Sequence, residues 1–162
     1  MIRLVLLLVI VMFALPAAAD QITGSAKAVD STVIEVDGKR IMLFGIDSVM
    51  RKQACTIGGK VWECWASAMR DLQTLLDQGP VACEPIGEPD VYGRLLARCS
   101  ISGESLNEQL VRRGYAVARR SETTEYVAAE VAAKDQKLGL WQGEFQMPEA
   151  FRRAAGIFVD RP

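Results

Sequence analysis

Asp47 is the residue of this chain whose position most directly suggests chemistry. It follows an apolar run at residues 41–44 and the step Gly45-Ile46, a pattern typical of a buried strand that ends in a turn. A carboxylate at the end of a buried strand costs free energy unless a ligand binds it or solvent reaches it. Asp47 is therefore a candidate ligand for a cation or a substrate. The alternative is a structural role in which Asp47 caps the turn.

The chain contains no histidine, and this absence restricts the chemistry that it could perform. Ser-His-Asp and Cys-His nucleophilic schemes are excluded, as are histidine bases and histidine metal ligands. Any hydrolysis would have to use carboxylates, arginines, tyrosines, lysines or a bound cation.

Residues 1–19 have the composition of a secretory signal peptide. Arg3 gives them a positive charge, a nearly unbroken apolar run begins at Leu4, and small residues precede position 20. We expect cleavage after Ala19, which makes the mature protein secreted or periplasmic and leaves it without stable membrane association. The alternative is an uncleaved membrane anchor, which Pro16 and the small residues disfavour.

The four cysteines are even in number and lie in a chain expected to be exported, which favours two disulfides. Of the three possible connectivities we predict the pairs Cys83–Cys99 and Cys55–Cys64. Cys83 and Cys99 each lie in a strand-like run on either side of a turn-rich segment, so they could face each other across a hairpin. A structural zinc site is disfavoured because the cysteines lack CxxC spacing and the chain lacks histidine.

The charge balance gives no general attraction for nucleic acid. Without residues 1–19, 18 basic and 20 acidic residues remain, a net charge of −2, whereas nucleic-acid-binding proteins are usually basic. A local basic patch could still form from arginines that lie close in sequence or that folding brings together: Arg112, Arg113, Arg119, Arg120, Arg94 and Arg98. The alternative is that these arginines form a solvated face.

Periodicity and turn signals predict five strands and about three helices. The strands cover residues 22–29, 32–36, 39–46, 81–86 and 95–101, and the helices cover 61–78, 105–113 and 126–137. Asp37-Gly38 marks a tight hairpin, Ser105 and Glu108 form a capping box, and residues 48–60 are predicted to be a loop. This order is typical of an α+β, mainly-β fold: a five-stranded OB-fold Greek-key barrel with added helices. Periodicity alone leaves other α+β folds open.

The chain shows no repeat, linker or low-complexity segment, which predicts one domain at residues 20–145. Residues 146–162 are predicted to be a C-terminal tail, whose Phe151-Arg152-Arg153 could dock on the body of the domain.

Several segments resemble, in the right order, the thermonuclease (staphylococcal-nuclease-like) family. They are Gly45-Ile46-Asp47, Asp90-Val91-Tyr92-Gly93-Arg94, residues 106–114 (LNEQLVRRG) and residues 137–141 (KLGLW). The resemblance covers residues 23–145, and the four cysteines are similar to those of exported bacterial members. It implies the SNase-like OB-fold barrel of that family. It also implies an activity that hydrolyses phosphodiester bonds in DNA and RNA with a bound calcium ion.

The resemblance assigns the calcium site to Asp47 and to Ser48 beside it. The family's second calcium aspartate lies in a D-G-D-T turn, but this chain reads Asp30-Ser31-Thr32, one residue shorter. Ser31 then takes the ligand position unless Asp30 reaches into the site. We therefore expect no cofactor, or a calcium ion if this ancestral site survives.

For phosphate and nucleotide contacts, the resemblance assigns Arg94 to one of two catalytic arginines and Tyr92 to the nucleotide-contacting tyrosine. Arg119 stands where related chains carry an aromatic residue and is a further ligand-binding candidate. Structural roles are the alternative. Arg94 could satisfy backbone carbonyls, and Tyr92 could pack with its hydroxyl in solvent.

The remaining two catalytic positions hold methionines. Met42 occupies the position of the other arginine, and Met50 occupies that of the glutamate that acts as general base. A thioether can neither donate to a phosphate nor take a proton. Loss of one preorganised donor costs about two to three orders of magnitude in rate. Loss of a general base costs about two to four, although such losses need not add.

We therefore expect an exported, nuclease-deficient OB-fold protein that acts as a binding or interaction module. Its expected partners are single-stranded nucleic acid, a glycan or a cell-envelope protein. Two alternatives stay open. One is an active calcium-dependent nuclease in which Glu35, Asp37 or Glu63 replaces the lost base. The other is a structural domain whose cleft is filled by Met42 and Met50.

Overall fold

The computed structural model describes residues 21–157, so the predicted signal peptide at residues 1–19 lies outside the described residues. Four α-helices occur in the described range: α1 (Cys64–Leu76), α2 (Leu106–Arg112), α3 (Val127–Asp135) and α4 (Pro148–Ala154), with a 3-10 turn at Gly139–Gln142. Among these helices none is long and apolar enough to cross a membrane.

Short strands form most of the remaining regular structure. In chain order they are β1 (Ile22–Gly24), β2 (Ala26–Asp30), β3 (Val33–Val36), β4 (Lys39–Leu43), β5 (Ile46–Asp47), β6 (Cys55–Ile57), β7 (Lys60–Trp62), β8 (Val81–Ile86), β9 (Leu95–Ile101), β10 (Glu104–Ser105), β11 (Val117–Ala118) and β12 (Glu144–Phe145). The expectation of a mainly-β α+β fold is confirmed.

The largest sheet is mixed and contains all five predicted strands. Its order is β1-β8-β9-β4-β3-β2, with β10 paired to β9. β3 and β4 form the hairpin predicted at Asp37-Gly38, where both residues have the positive φ angles (48° and 76°) that this tight turn requires. β4 and β9 run parallel, which joins the N-terminal meander to the β8–β9 hairpin.

β1 and β2 are two parts of one predicted strand, which is interrupted at Ser25. β1 pairs with β8 at one end of the sheet, and β2 pairs with β3 at the other end. One chain segment thus contributes to both ends, which gives the sheet its OB-like curvature. The hydrogen bonds of this mixed sheet do not close it into a complete barrel, and the predicted α+β fold with OB-like character is confirmed.

The main core lies between this sheet and the first three helices. Its members come from strands and helices alike and include Ile34, Ile41, Leu72, Leu75, Leu106, Leu110, Tyr126 and Ala129. Ser105 caps α2 by accepting a hydrogen bond from the backbone N–H of Glu108 (3.2 Å), as the capping box predicts. The packed helices fix the ends of the strands that carry the candidate site.

Residues 48–60 are not the predicted loop, because β6 and β7 form a hairpin there with its turn at Gly58-Gly59. α1 accordingly begins at Cys64 rather than at Val61, which lies in β7 and is 71% exposed. The helical spacing between Val61 and Trp65 wrongly indicated that the helix begins at Val61. The two glycines with positive φ and the β-branched Val61 favour a hairpin more strongly than a helix start.

Both predicted disulfides are confirmed. Cys83 and Cys99 lie directly opposite each other on β8 and β9, as expected for a hairpin. Cys55 and Cys64 link β6 to the first residue of α1, so the second disulfide ties the small hairpin to the helix that follows it.

The predicted C-terminal tail contains regular structure. α4 follows β12, which adds a third strand to the β6–β7 hairpin by pairing with β6. Pro148 occupies the first turn of α4, where its missing N–H costs nothing. The chain from residue 144 to residue 154 is therefore packed on the body of the domain.

Candidate functional site

Asp47 ends β5, a two-residue strand that pairs with β11. Gly45 precedes it with φ +74°, and a Cβ at that position would lie 2.7 Å from a ring carbon of Tyr126. Only glycine allows this turn to pack so closely on Tyr126. The Asp47 side chain is 7% exposed, and its Oδ1 accepts a hydrogen bond from the backbone N–H of Ser48 (2.9 Å). A buried carboxylate thus lies at the predicted position.

Arg152 of α4 forms a two-pronged hydrogen-bonded ion pair with Asp47. Its Nη1 donates to Asp47 Oδ1 over 2.8 Å, and its Nη2 donates to Asp47 Oδ2. Arg152 is itself buried, at 8% exposed, and the hydrogen bond to Asp47 raises the pKa of its guanidinium. Bidentate geometry of this kind is the strongest form of arginine–carboxylate contact.

Arg119 lies on the other side of the same carboxylate. Its Nη1 is 3.5 Å from Asp47 Oδ2, and its Nε is 2.7 Å from Glu122 Oε1. The backbone N–H of Arg119 donates to the carbonyl of Gly45 (2.8 Å), which holds the residue next to the turn before Asp47. The structure therefore brings two of the predicted site residues, Asp47 and Arg119, into contact.

The other predicted calcium ligands have structural partners. Ser48 Oγ donates to the carbonyl of Tyr115 (2.7 Å), and Ser31 Oγ donates to the carbonyl of Val49 (2.9 Å). Asp30 Oδ1 accepts from the backbone N–H of Ser31 and from the indole N–H of Trp65, both at 2.8 Å. Asp30 turns toward Trp65 instead of reaching into the site.

With Arg152 in place, these residues do not fit a calcium ion, which takes six to eight oxygen ligands. Within residues 21–157 there is no group of three or more carboxylates or cysteines that could hold a metal. Both oxygens of Asp47 already contact a guanidinium. The two serine hydroxyl groups each donate a hydrogen bond to a backbone carbonyl.

Met42 lies in the strand that precedes Asp47, and Met50 lies three residues after Asp47, outside any strand. Met42 lies in β4 opposite Val33 of β3 and Leu96 of β9 and is 3% exposed. Met50 is half-buried, and its backbone N–H donates to the side chain of Gln53 (3.3 Å). Neither side chain supplies a charge or a hydrogen-bond donor to the site.

Arg94 is held within its own loop. Its Nε donates to Asp90 Oδ2 (2.6 Å), and Asp90 Oδ1 accepts the backbone N–H groups of Tyr92 (2.9 Å) and Arg94 (2.8 Å). Desolvation raises the pKa of Asp90, but the hydrogen bonds from Arg94 and Tyr92 outweigh it and hold that pKa below its usual value. This loop fixes Arg94 as a partner of Asp90.

Tyr92 extends from this loop into solvent, where it is 75% exposed. The guanidinium of Arg94 lies 5.1 Å from its ring centroid. Tyr92 lines a cavity of about 440 Å³ together with Lys39, Arg40 and Pro89. A different cavity lies beside Asp47, so the structure does not join the Arg94 loop to the carboxylate in one pocket.

The cavity beside Asp47 measures about 330 Å³ and lies between the chain after β11 and α4. Its charged lining residues are Asp47, Arg119, Arg120, Glu149 and Arg153. Arg120 pairs with Glu130 (2.6 Å) and Arg153 pairs with Glu149 (3.0 Å). Four arginines are thus paired with four carboxylates around this cavity: Arg119, Arg120, Arg152 and Arg153 with Glu122, Glu130, Asp47 and Glu149.

The candidate basic patch is neutralised in the same way. Each of the six arginines considered from the sequence has a carboxylate partner: Arg94 with Asp90, Arg98 with Glu125, Arg112 with Glu108, Arg113 with Asp71, Arg119 with Glu122 and Arg120 with Glu130. Pairing of this kind leaves little uncompensated positive charge for a polyanion.

Asp47 and Arg119 were both candidates from the sequence and lie close together, but Arg152, the main partner of Asp47, was not among the candidates. Arg152 was expected only as part of a tail that could dock. Two sequence signals indicate a short helix here: Pro148 at its start, and Glu149 and Arg153 spaced by four residues. Neither signal shows that Arg152 of this helix contacts Asp47.

Comparison with known families supplies the last evidence. A family model described as staphylococcal nuclease homologue matches residues 40–143, a segment that includes Met42, Asp47, Arg94 and Arg119. Comparison with curated proteins gave no match. The matched segment ends before Arg152 and begins after Ser31. Since it covers more than half of the chain, this protein belongs to the staphylococcal nuclease homologue family.

Proposed function

We propose that this protein is an exported, nuclease-deficient member of its family that acts as a binding or interaction module. The observation that carries the proposal is the type of residue at positions 42 and 50. Met42 and Met50 stand where the resemblance places a phosphate-binding arginine and a general base. Met42 is buried, at 3% exposed, so its side chain is not presented to a substrate in solvent.

The contacts of the remaining candidate residues support the same proposal. Arg94 is engaged by Asp90, and Asp47 is engaged by Arg152. A phosphodiester in the cavity beside Asp47 would meet arginines whose charge is already balanced by carboxylates. Transition-state stabilisation needs donors aimed at the developing charge, and these donors point at protein carboxylates.

Export is supported by the two disulfides, which are consistent with an extracellular or periplasmic location. The signal peptide at residues 1–19 remains a prediction from composition. A small domain in an oxidising compartment gains stability from such cross-links, and a binding module exposed to that environment benefits from them.

Between the two classes of macromolecular partner, the charges favour a cell-envelope protein over single-stranded nucleic acid. Affinity for nucleic acid rests on neutralisation of phosphates by free Lys and Arg, whereas the arginines near the site are paired. Among the large hydrophobic side chains of the described residues, those of Val91 (83%) and Tyr92 (75%) are the most exposed. They lie side by side at a loop tip, an arrangement that suits a protein contact.

A nuclease assay on residues 20–162 tests the proposal. The substrates are single-stranded DNA and RNA, each with calcium or with chelator, and a Met42→Arg/Met50→Glu variant is assayed in parallel. We expect no cleavage by the natural chain. Calcium-dependent cleavage by that chain would overturn the proposal and show that another carboxylate acts as base.

The double variant is also expected to remain inactive, because Arg152 still holds Asp47 in it. Because Met42 is buried, its replacement could prevent folding. The melting temperature of the double variant is therefore measured first to show that the variant is folded. Cleavage by the folded double variant would show that a cation still reaches Asp47, and that only the two catalytic groups were missing.

A further inference from the structure

Asp47 is bound by a cation that the protein itself supplies. We propose that the guanidinium of Arg152 is a built-in replacement for a divalent cation at Asp47, and that α4 thereby holds this position closed. The inference deepens the proposed function and rests on Asp47 as the cation ligand that the resemblance implies. It does not depend on the loss of nuclease activity.

The geometry of the pair matches this role. The two nitrogens of the Arg152 fork meet the two oxygens of Asp47, so the contact satisfies the whole carboxylate rather than one side of it. Both residues are less than 10% exposed, so water and salt compete weakly with the pair. Arg119 Nη1 adds a second positive group 3.5 Å from Asp47 Oδ2.

A divalent cation would have to displace these groups. Placed at Asp47 with Arg152 and Arg119 retained, it would be repelled by two neighbouring positive charges. Closure of the site therefore rests on the positive charge that Arg152, with Arg119 beside it, places at Asp47.

The helix that carries Arg152 is held firmly in place from its N-terminal side. β12 pairs with β6 immediately before it, with Phe145 opposite Cys55, and the Gln53 side chain donates to the carbonyl of Gln146. Cys55 is in turn bonded to Cys64 at the start of α1. α4 is thus attached to a cross-linked hairpin, which positions Arg152 at Asp47.

The neighbouring residue Arg153 provides a matched control. It lies on the same helix but is exposed, and it pairs with Glu149 one turn earlier (3.0 Å). Replacing Arg153 removes an equal charge from α4 without touching Asp47. A difference between the two variants therefore reports the contact with Asp47 and not the charge of the helix.

The experiment measures the melting temperature of the natural protein, Arg152→Ala and Arg153→Ala, each with calcium and with chelator. Isothermal titration calorimetry with calcium is run on the same three proteins. We expect no calcium binding and no calcium-dependent rise in melting temperature for the natural protein and Arg153→Ala. For Arg152→Ala we expect a lower melting temperature in chelator and a partial recovery in calcium, with one calcium bound.

Arg152→Gln covers the case in which the alanine variant does not fold, because glutamine keeps part of the side-chain length and a donor for Asp47 while removing the charge. It is expected to show the same calcium-dependent rise. Failure of calcium to raise the melting temperature of the folded variants would overturn the proposal and leave an ordinary structural ion pair. Calcium binding by the natural protein would overturn it as well.

The two proposals fail separately. Cleavage of nucleic acid by the natural chain would contradict the proposed function even if no calcium binds to it in solution. Calcium binding by the natural chain without cleavage would contradict only the role assigned to Arg152.

Discussion

The side-chain amide of Asn107 donates a hydrogen bond to the carbonyl oxygen of Phe44 (2.8 Å) and so ties α2 to the end of β4, three residues before Asp47. Its Oδ1 accepts the backbone N–H of Cys99 in β9 (3.0 Å). Asn107 is fully buried. One amide therefore joins a helix and two parallel strands at the point where the chain turns toward the site.

Replacement of Asn107 by alanine should destabilise the protein, because it leaves a buried N–H and a buried carbonyl without their partner. Each unsatisfied buried group costs about 1–3 kcal/mol, so we expect a loss of about 2–4 kcal/mol in the free energy of unfolding. Chemical denaturation measures it. Arg112→Ala on the exposed face of α2 is the control, since its pair with Glu108 is exposed and should be worth less than about 1 kcal/mol. Equal losses in the two variants would contradict this role.

The pair of Asp47 and Arg152 should behave as one energetic unit. Removing one partner of a buried ion pair leaves an uncompensated charge and costs about 3–5 kcal/mol. We therefore expect the double variant Asp47→Ala/Arg152→Ala to lose less stability than the two single variants together, with a coupling of about 1–3 kcal/mol.

The exposed pair Glu149 and Arg153 supplies the reference cycle for that coupling. It lies on the surface of the same helix, and exposed pairs spaced by four residues couple by about 0.3–0.5 kcal/mol. A coupling between Asp47 and Arg152 no larger than this would show that the buried contact is not formed in solution.

Asp90 should make the stability of the protein depend on pH in the acid range. Desolvation raises the pKa of Asp90, but the larger sum of hydrogen bonds from Arg94 and Tyr92 lowers it below the ordinary value of 3.8. A carboxyl group whose pKa falls on folding stabilises the native state at pH values above the pKa that the group has in the unfolded chain. That stabilisation is lost as the pH falls through the folded pKa.

Asp90→Asn tests this dependence. We expect the variant to be less stable than the natural protein at neutral pH and the difference to shrink as the pH falls below 3.8. Melting temperatures across the acid range measure the effect. Glu88→Gln, an exposed carboxylate in the same loop, is the control and should follow the natural protein. A constant gap for Asp90→Asn at every pH would contradict the expected linkage.

Single-stranded nucleic acid should bind poorly, because the candidate phosphate-binding arginines Arg94, Arg119 and Arg120 are paired with carboxylates. We expect no saturable binding of a labelled oligonucleotide at physiological salt in a fluorescence anisotropy titration. Saturable binding that Tyr92→Ala weakens about fivefold or more would instead indicate base stacking on this tyrosine. Val91→Ala is the matched control, since it shortens the neighbouring exposed side chain without removing an aromatic ring.

The sequence predicted the large sheet better than the site. β8 and β9 have the predicted bounds, because each is a strand-like run bounded by turn residues and the two cysteines mark their register. The α1 boundary was placed three residues early because Val61 and Trp65 share helical spacing. That spacing cannot show that Val61 belongs to a hairpin whose third strand, β12, comes from far along the chain.

The contact of Arg152 with Asp47 could not be predicted for a similar reason. The two residues are separated by 105 positions, and α4 is a seven-residue helix whose periodicity is too short to identify the face it buries. Ser31 and Ser48 likewise resembled cation ligands by position. Their use as donors to backbone carbonyls depends on tertiary neighbours, Val49 and Tyr115, that local sequence does not specify.

The distance along the chain between Asp47 and Arg152 also affects biosynthesis. Synthesis proceeds from the N-terminus, so Asp47 emerges long before the guanidinium that neutralises it. A chain interrupted before residue 152 must either keep a buried carboxylate without this partner, at a substantial cost, or leave that region unfolded. Such chains would spend more time unfolded and be more accessible to proteases, so resistance to proteolysis should depend on the presence of the last helix.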